Sequence, residues 1–297
     1  MNNNPLFSVI LPNYNHGSFL KNSIASVINQ EFTNWELIII DNFSNDNSDE
    51  IINSFKDSRI KIFKIQNNGV IAKSRNLGIK NAKAKWIAFL DSDDIWYPYK
   101  LSELIKPLYN DYDVVCSNEY HLNILSGEKK PSKYLIESKN AYKELLIFGN
   151  RLSTSSTIVN RDFLLKNNLL FDENVDFITV EDYDLWMQIA FLGGTFVFCN
   201  KFLGEYRIHE KNSSNNFDLH FNNLKKLLMY HINEVQNFSA KEALIDKIKP
   251  RLIYALIKRR FSINFRMGLK FLLLEIFKMK IKDLYFFSKF IFSKIST

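Results

Sequence analysis

Trp86-Ile87-Ala88-Phe89-Leu90-Asp91-Ser92-Asp93-Asp94 is an apolar run that stops abruptly at three carboxylates. A short apolar run bounded by polar residues has the pattern of a central strand in an α/β sheet, buried on both faces. Asp91 and Asp93 lie two residues apart, so in extended backbone their side chains leave the same face. Two like charges at the end of a buried strand repel each other unless a cation lies between them. The pair is therefore read as a divalent-metal site in the crevice beyond the strand ends, where open α/β sheets bind ligands. The alternative, that these acids only cap a helix beginning near Pro98, suits that proline as a first helical residue. It leaves Asp91 too far upstream to act as a cap.

Upstream of this strand the same rhythm repeats. Residues 7–11 read as a strand ending at Pro12-Asn13-Tyr14-Asn15, followed by a helix with Phe19, Ile24, Val27 and Ile28 inward. Residues 35–40 form the second strand, ending at Asp41-Asn42, and Asp46, Asp49 and Glu50 crowd the start of the next helix as caps and dipole partners. Residues 59–65 give a third strand, and 70–82 a helix carrying Arg75. Alternating strands and helices predict a parallel sheet with right-handed crossovers, so Tyr14, Asp41, Asn42, Asp91 and Asp93 converge on one crevice.

Downstream the pattern predicts a helix over 98–109, a strand over 113–116 and an irregular polar stretch to Lys139. A helix over 141–148 and a strand over 155–160 follow. Thr179 and Asp182 have capping-box spacing at a helix whose buried stripe is Leu185, Ile189 and Leu192, and Gly193-Gly194 ends it. Strands over 195–199 and 206–209 precede a helical region from Phe217 onward.

The 297 residues, 46% hydrophobic and 14% aromatic, are enough for a full core. Two cysteines, Cys116 and Cys199, make no disulfide framework and point to a reducing compartment. The polar start lacks the pattern of a signal peptide, and no apolar run approaches the ~20 residues that span a bilayer. A cytoplasmic location is expected. The net charge of +7 is uneven: from Asn215 onward sixteen Lys and Arg face six Asp and Glu, leaving the first 214 residues at −3. Nucleic-acid binding is excluded as an explanation, because no recognised module accompanies the charge.

Six segments, in this order, resemble the large inverting glycosyltransferase family 2. They are Ser8-Val9-Ile10-Leu11-Pro12-Asn13-Tyr14-Asn15, Ile38-Ile39-Ile40-Asp41-Asn42, Ser74-Arg75-Asn76-Leu77-Gly78, Phe89-Leu90-Asp91-Ser92-Asp93-Asp94, Glu181-Asp182-Tyr183-Asp184-Leu185-Trp186 and Tyr206-Arg207-Ile208-His209. The resemblance implies a GT-A fold: an α/β, Rossmann-like, mixed and mostly parallel sheet flanked by helices. A catalytic domain over 1–214 would then carry a basic, amphipathic helical extension over 215–297. Asp91-Ser92-Asp93 is similar to the family's D-x-D motif, which holds Mn²⁺ or Mg²⁺ against the diphosphate of a nucleotide sugar. Pro12, Tyr14, Asp41 and Asn42 match the uridine pocket, which makes a UDP-sugar the expected donor. Many relatives carry a second aspartate where Asn42 stands. Its amide oxygen can accept from the uracil N3–H. Arg75 matches a basic residue near the nucleotide, Asp182 the catalytic base and Glu181 its supporting acid. His209 matches a metal ligand of some relatives, with a structural histidine as the alternative.

The chemistry agrees with these assignments. A sugar hydroxyl needs a carboxylate to take its proton, and Arg75 or Arg207 suits the charge that builds on a leaving diphosphate. In-line displacement inverts the anomeric centre, whereas a retaining path uses two nearby carboxylates. Asp182 has helix capping as its plainer reading, and Asp184 a role on the helix surface or in a local hydrogen bond. Trp96 is read as an acceptor-site aromatic, Trp186 as core, and Thr154-Ser155-Ser156 as lining for the donor sugar. Lys258-Arg259-Arg260, Lys278, Lys280, Lys282 and Lys289 alternate with Phe271, Leu272, Leu273, Ile276, Phe277, Tyr285, Phe286, Phe287, Phe290 and Phe292. That mixture suits an anionic membrane surface and hence a lipid-linked glycan acceptor, with packing on the catalytic domain or on a second copy as the alternative. The expected activity is hexosyl transfer in surface polysaccharide or lipopolysaccharide biosynthesis. The competing reading is a non-catalytic nucleotide-sugar or glycan-binding subunit of a membrane assembly.

Overall fold

A computed structural model describes residues 4–136, 140–212, 215–235 and 238–263. The first half runs β1 (Phe7–Asn13), α1 (Gly17–Ile28), β2 (Trp35–Asp41), α2 (Ser48–Ser54), β3 (Ile60–Lys64), α3 (Ile71–Asn81), β4 (Trp86–Phe89), β5 (Ile95–Trp96) and α4 (Lys100–Ile105). It continues β6 (Val114–Asn123), β7 (Lys129–Ser132), α5 (Ala141–Phe148), β8 (Thr157–Asn160), α6 (Arg161–Lys166), α7 (Glu181–Phe191), β9 (Phe196–Ile208), α8 (Phe217–Asn233) and α9 (Phe238–Ile263). Among the described residues these strands form one sheet in the order β3-β2-β1-β4-β8-β6-β9-β5, with β7 beside β6.

β3, β2, β1 and β4 are parallel, as the strand–helix rhythm predicts. β8 enters antiparallel to both β4 and β6, and β9 runs parallel to β6. Every residue of β1 and β2 is buried, because helices cover both faces of the sheet. Alternate residues feed the two sides. Ile10, Ile38, Ile40, Ile87 and Phe89 pack with α3 and α7, while Val9, Leu11, Leu37, Ile39 and Ala88 pack with α1 and α4. Gly78 lets α3 lie close to the sheet: a Cβ there would stand 2.5 Å from Ile10 and 3.0 Å from Ile40.

Several elements depart from their sequence reading. The polar stretch after Cys116 is not irregular. β6 continues to Asn123 and turns into β7, and its polarity reflects the cleft that its second half faces. The two strands expected over 195–209 are a single β9, held to β6 across register shifts near Ser117 and Asn118. β5 and α6 are additional short elements. Thr179 does not cap α7: its backbone is left-handed at φ +72°, its hydroxyl meets His220, and Val180 stands at the N-cap without a side-chain bond.

Leu227, Leu228 and Ile232 of α8 and Leu244 and Ile248 of α9 join the same apolar cluster as Ile10 and Trp186. No helix among the described residues is long and apolar enough to cross a membrane. The aromatic and basic residues expected at a membrane between Phe271 and Phe292 lie outside the described residues.

Candidate active site

The organising strand ends at Phe89, and its acids follow at the carboxyl edge of the sheet in a turn closed by the Asp94 N–H to the Asp91 carbonyl at 3.0 Å. This is not the extended backbone that would put Asp91 and Asp93 on one face, so the three have different surroundings. Asp94, 1% exposed, accepts from the Arg207 backbone N–H at 2.9 Å and from the Ser155 hydroxyl at 2.5 Å. Burial pushes its pKa well up, helped by Asp93, so it acts as an internal pin for the loop. Asp93 Oδ2 meets His209 Nε2 at 3.0 Å and Asn212 Nδ2 at 3.4 Å. His209 Nδ1 accepts from the Lys211 backbone N–H at 3.2 Å, which assigns the ring proton to Nε2 and makes His209 the donor to Asp93. The ring stacks on Phe19, with centroids 4.4 Å apart. Ser92 faces His16 instead, with Oγ 2.9 Å from Nδ1.

Asp91 turns the other way. Its Oδ1 accepts from Arg75 Nη2 at 2.8 Å, and the same guanidinium donates to Glu181 Oε1 at 2.7 Å through Nη1. Arg75 is 4% exposed. Burial opposes its charge, but Asp91 and Glu181 outweigh that and raise its pKa. One cation from α3 therefore ties the D-x-D loop to the first residue of α7. Residues 75, 91 and 181, scattered in the chain, become one buried ionic cluster.

Asp182 is the next residue of α7. Its Oδ2 accepts from Thr154 Oγ1 at 3.1 Å and Asn150 Nδ2 at 3.2 Å, and its Oδ1 from its neighbour's N–H. Burial raises its pKa against the pull of Arg75 and these hydrogen bonds. A carboxylate with a raised pKa at a cleft is a stronger base than a surface aspartate. Glu181 is raised by burial in the same sense.

Asp91, Ser92, Asp93, Arg75, Glu181 and Asp182 all line one cleft of about 410 Å³, and Pro12 lies on its wall. The other expected nucleotide residues are arranged differently. Tyr14 is 54% exposed and stands outside this cleft. Asp41 is fully buried and accepts from Asn13 Nδ2 at 2.8 Å, Ser44 Oγ at 2.6 Å and Ser44 N at 3.0 Å, so it braces the strand-end loops. Asn42 Oδ1 already accepts from the Asn67 backbone at 2.8 Å, leaving one lone pair for a base. Arg207 is fixed through its backbone to Asp94, and its Nε is buried without a partner. Trp96 is not an acceptor-site aromatic: it is 2% exposed and its indole donates to the Ser155 carbonyl at 2.7 Å. Trp186 is core, as its helical spacing predicts. Asp184 is fully buried rather than on the helix surface. Its Oδ2 accepts from Gln188 Nε2 at 2.5 Å, the local hydrogen bond expected as the alternative, and its Oδ1 meets His231 Nε2 at 2.9 Å, which joins α7 to α8.

His16, Glu119, His121, Tyr134 and Asn212 also line the cleft and escape the motif-based reading. Glu119 is 2% exposed and accepts from Tyr134 Oη at 2.6 Å. Lys100, on the inner side near Ser117, has its pKa brought down to about 8 by burial. The available signal was polar residues at alternate positions, 117, 119 and 121, continuing the apolar start of β6.

Among the described residues, no three His, Cys, Asp or Glu groups stand ready as a complete metal cage. Asp91 and Asp93 nevertheless fit Mg²⁺ or Mn²⁺, hard ions that take carboxylate oxygen and are commonly held by one or two carboxylates plus substrate phosphates. His209 as a ligand would first have to release the Nε2 proton that now serves Asp93.

Residues 8–165 match the sequence model described as Glycosyl transferase family 2. The chain is 32% identical over 213 residues to UDP-Glc:alpha-D-GlcNAc-diphosphoundecaprenol beta-1,3-glucosyltransferase WfgD of Escherichia coli, covering 71% of this chain and 80% of that protein. Two solved structures share the fold. Staphylococcus aureus TarS 1-349 in complex with UDP aligns with a TM-score of 0.62 at 18% identity, covering 88% of this chain and 82% of that one. The mannosyltransferase from Pyrobaculum calidifontis, in complex with GDP-Man and Mn²⁺, aligns at 0.64 with 12% identity, covering 96% and 79%.

Proposed function

The chain belongs to glycosyl transferase family 2 and has its GT-A fold, and from that premise we propose that it moves a hexosyl group from a UDP-sugar to a hydroxyl of a surface-glycan acceptor, with inversion. The observation that carries this reading is the bridge through Arg75: the D-x-D loop and the Glu181–Asp182 pair share a wall of one cleft. A metal grip and a base are thereby adjacent without being in contact.

In this mechanism Asp182 accepts the proton of the acceptor hydroxyl as its oxygen attacks the anomeric carbon. The bond from that carbon to the diphosphate oxygen breaks on the opposite side, and the nucleoside diphosphate leaves as an anion. Thr154 and Asn150 orient the Asp182 carboxylate. Glu181 holds Arg75, which in turn positions Asp91. Asp91 and Asp93 would hold Mn²⁺ or Mg²⁺, which supplies charge neutralisation for the departing diphosphate. His209 and Asn212 orient Asp93. Pro12 lines the cleft, and Asp41 braces the neighbouring strand-end loops through Asn13 and Ser44.

WfgD's name states a diphosphoundecaprenol-linked acceptor. For this chain we infer a lipid-linked or polymeric surface glycan, built on the cytoplasmic face of the membrane with the basic extension from residue 215 toward anionic lipid. A screen of UDP-, GDP- and dTDP-sugars for nucleotide release, with and without Mn²⁺, tests the donor reading. Release from UDP-sugars alone, lost on chelation, is expected. Metal-independent release, or preference for GDP, would overturn the donor assignment.

A further inference from the structure

Asp182 borders a second cavity of about 170 Å³, lined also by Thr179, Val180 and Tyr183 around the start of α7 and by residues of α8, α9 and the turn after α5. This space does not include Asp91 or Asp93, and the larger cleft does not include Arg251. Arg251 belongs to α9, beyond the residues matched by the family pattern. It is 8% exposed, yet among the described residues no carboxylate pairs with it. Among the described residues, Nη1 meets the Leu145 carbonyl and the Tyr183 hydroxyl, each at 3.5 Å, and the buried Nη2 finds no acceptor.

A buried cation without a counter-charge is costly, because removal from water is not repaid by an ion pair. The surroundings are nonetheless shaped around it. Gly149 sits at φ +96°, and a Cβ there would stand 2.9 Å from Arg251 Nη1. Glycine suits the backbone angle, and a Cβ there would displace the end of the guanidinium. Leu224, Leu252 and Ala255 give the lining an apolar side, which strengthens charge interactions there, while Asn150, Thr179 and His220 add polar groups.

We propose that this cavity is a phosphoryl site for the acceptor: Arg251 holds a phosphate or diphosphate carried by the acceptor substrate, so that the sugar hydroxyl next to that group lies at Asp182. The assignment rests on the transferase reading above and adds to it a recognition element outside the nucleotide cleft. A guanidinium is the side chain best matched to phosphate, offering two parallel N–H donors to two oxygens. The donor diphosphate belongs to the opposite side of Asp182, near Asp91 and Asp93. The base therefore stands between the two anion sites, as transfer between a phosphorylated donor and a phosphorylated acceptor requires.

The test is calorimetry on the full chain saturated with UDP and Mn²⁺, so that the nucleotide site is filled. Octyl diphosphate is titrated first, then glycerophosphoglycerol as a phosphodiester, and octyl glucoside as the phosphate-free control. Saturable binding of a phosphorylated probe is expected, weakened tenfold or more by Arg251→Gln, less by Arg251→Lys, and also by Gly149→Ala. Octyl glucoside should respond to none of these changes. Preference for the diphosphate identifies a lipid-linked acceptor, and preference for the diester a phosphate-linked polymer; Arg251-dependence in either case supports the site. Equal affinity in the parent and both Arg251 variants, or no saturable binding of either phosphorylated probe, overturns it. UDP affinity measured on the same samples reports their folding. Nucleotide-sugar turnover is scored separately, so a failed donor assignment is not mistaken for a failed Arg251 site.

Discussion

At the scale of single residues, Asp182 gives the sharpest expectation. As the proposed base it would act only when ionised, so transfer is expected above its pKa and is expected to be lost as pH falls through it. Burial raises that pKa while Thr154 and Arg75 oppose the rise. The acid limb of kcat/KM is therefore expected at a higher pH than a surface aspartate would give. Thr154→Val removes a hydrogen bond to the charged form and should move the limb further toward neutral pH. A limb that stays fixed in Thr154→Val would detach Asp182 from the titration. Although Asp41 and Asp94 in similar places brace loops instead, the places of Asp91, Asp93, Glu181 and Asp182 at one cleft were legible from acids at a strand end and a helix start. Glu119, His121 and Tyr134 were not: polar side chains in an apparently irregular stretch look solvated until β6 is known to run past the cleft. Trp96 misled for the converse reason, since nearness in sequence to Asp94 did not reveal that its indole is turned inward to Ser155.

Between elements, Arg75 is the joint. It fastens α3 to the loop after β4 and to the start of α7, with both carboxylates at 2.7–2.8 Å. Arg75→Gln leaves Glu181 and Asp91 without their counter-charge, and breaking such a buried arrangement costs about 3–5 kcal/mol. Denaturant unfolding should show that loss, with Glu181→Gln in the same chain recovering part of it. Unchanged stability in Arg75→Gln would mean that the cluster does not hold the elements together. The first four parallel strands and α5 follow from periodicity alone, because their apolar runs have one plausible length and partner. The reversal at β8 and the continuity of β9 do not. Antiparallel insertion depends on tertiary pairing with β4 and β6, and a bulged strand reads in sequence as two.

For the whole molecule, the two faces of one sheet bury separate apolar clusters, and α8 and α9 contribute to one of them. These two helices are thereby joined to the body that holds α7, and Arg251 of α9 lines a cavity together with Asp182. The charge of the extension, carried by sixteen Lys and Arg against six acids from Asn215 onward, should bring the protein to anionic lipid. Co-sedimentation with vesicles containing phosphatidylglycerol is expected, weakening as salt rises. Equal binding to neutral phosphatidylcholine vesicles would contradict a charge-led attachment. Above all, Asp91 and Asp93 share one cleft with Glu181 and Asp182, and the proposed transfer assigns the first pair to the donor's metal and Asp182 to the acceptor's proton. The most direct measurement compares the parent chain with Asp182→Asn for UDP affinity and for glycosyl transfer in Mn²⁺. Unchanged UDP affinity with transfer reduced by about 10²–10⁴-fold is expected for loss of a general base; transfer at the parent rate in Asp182→Asn would contradict it.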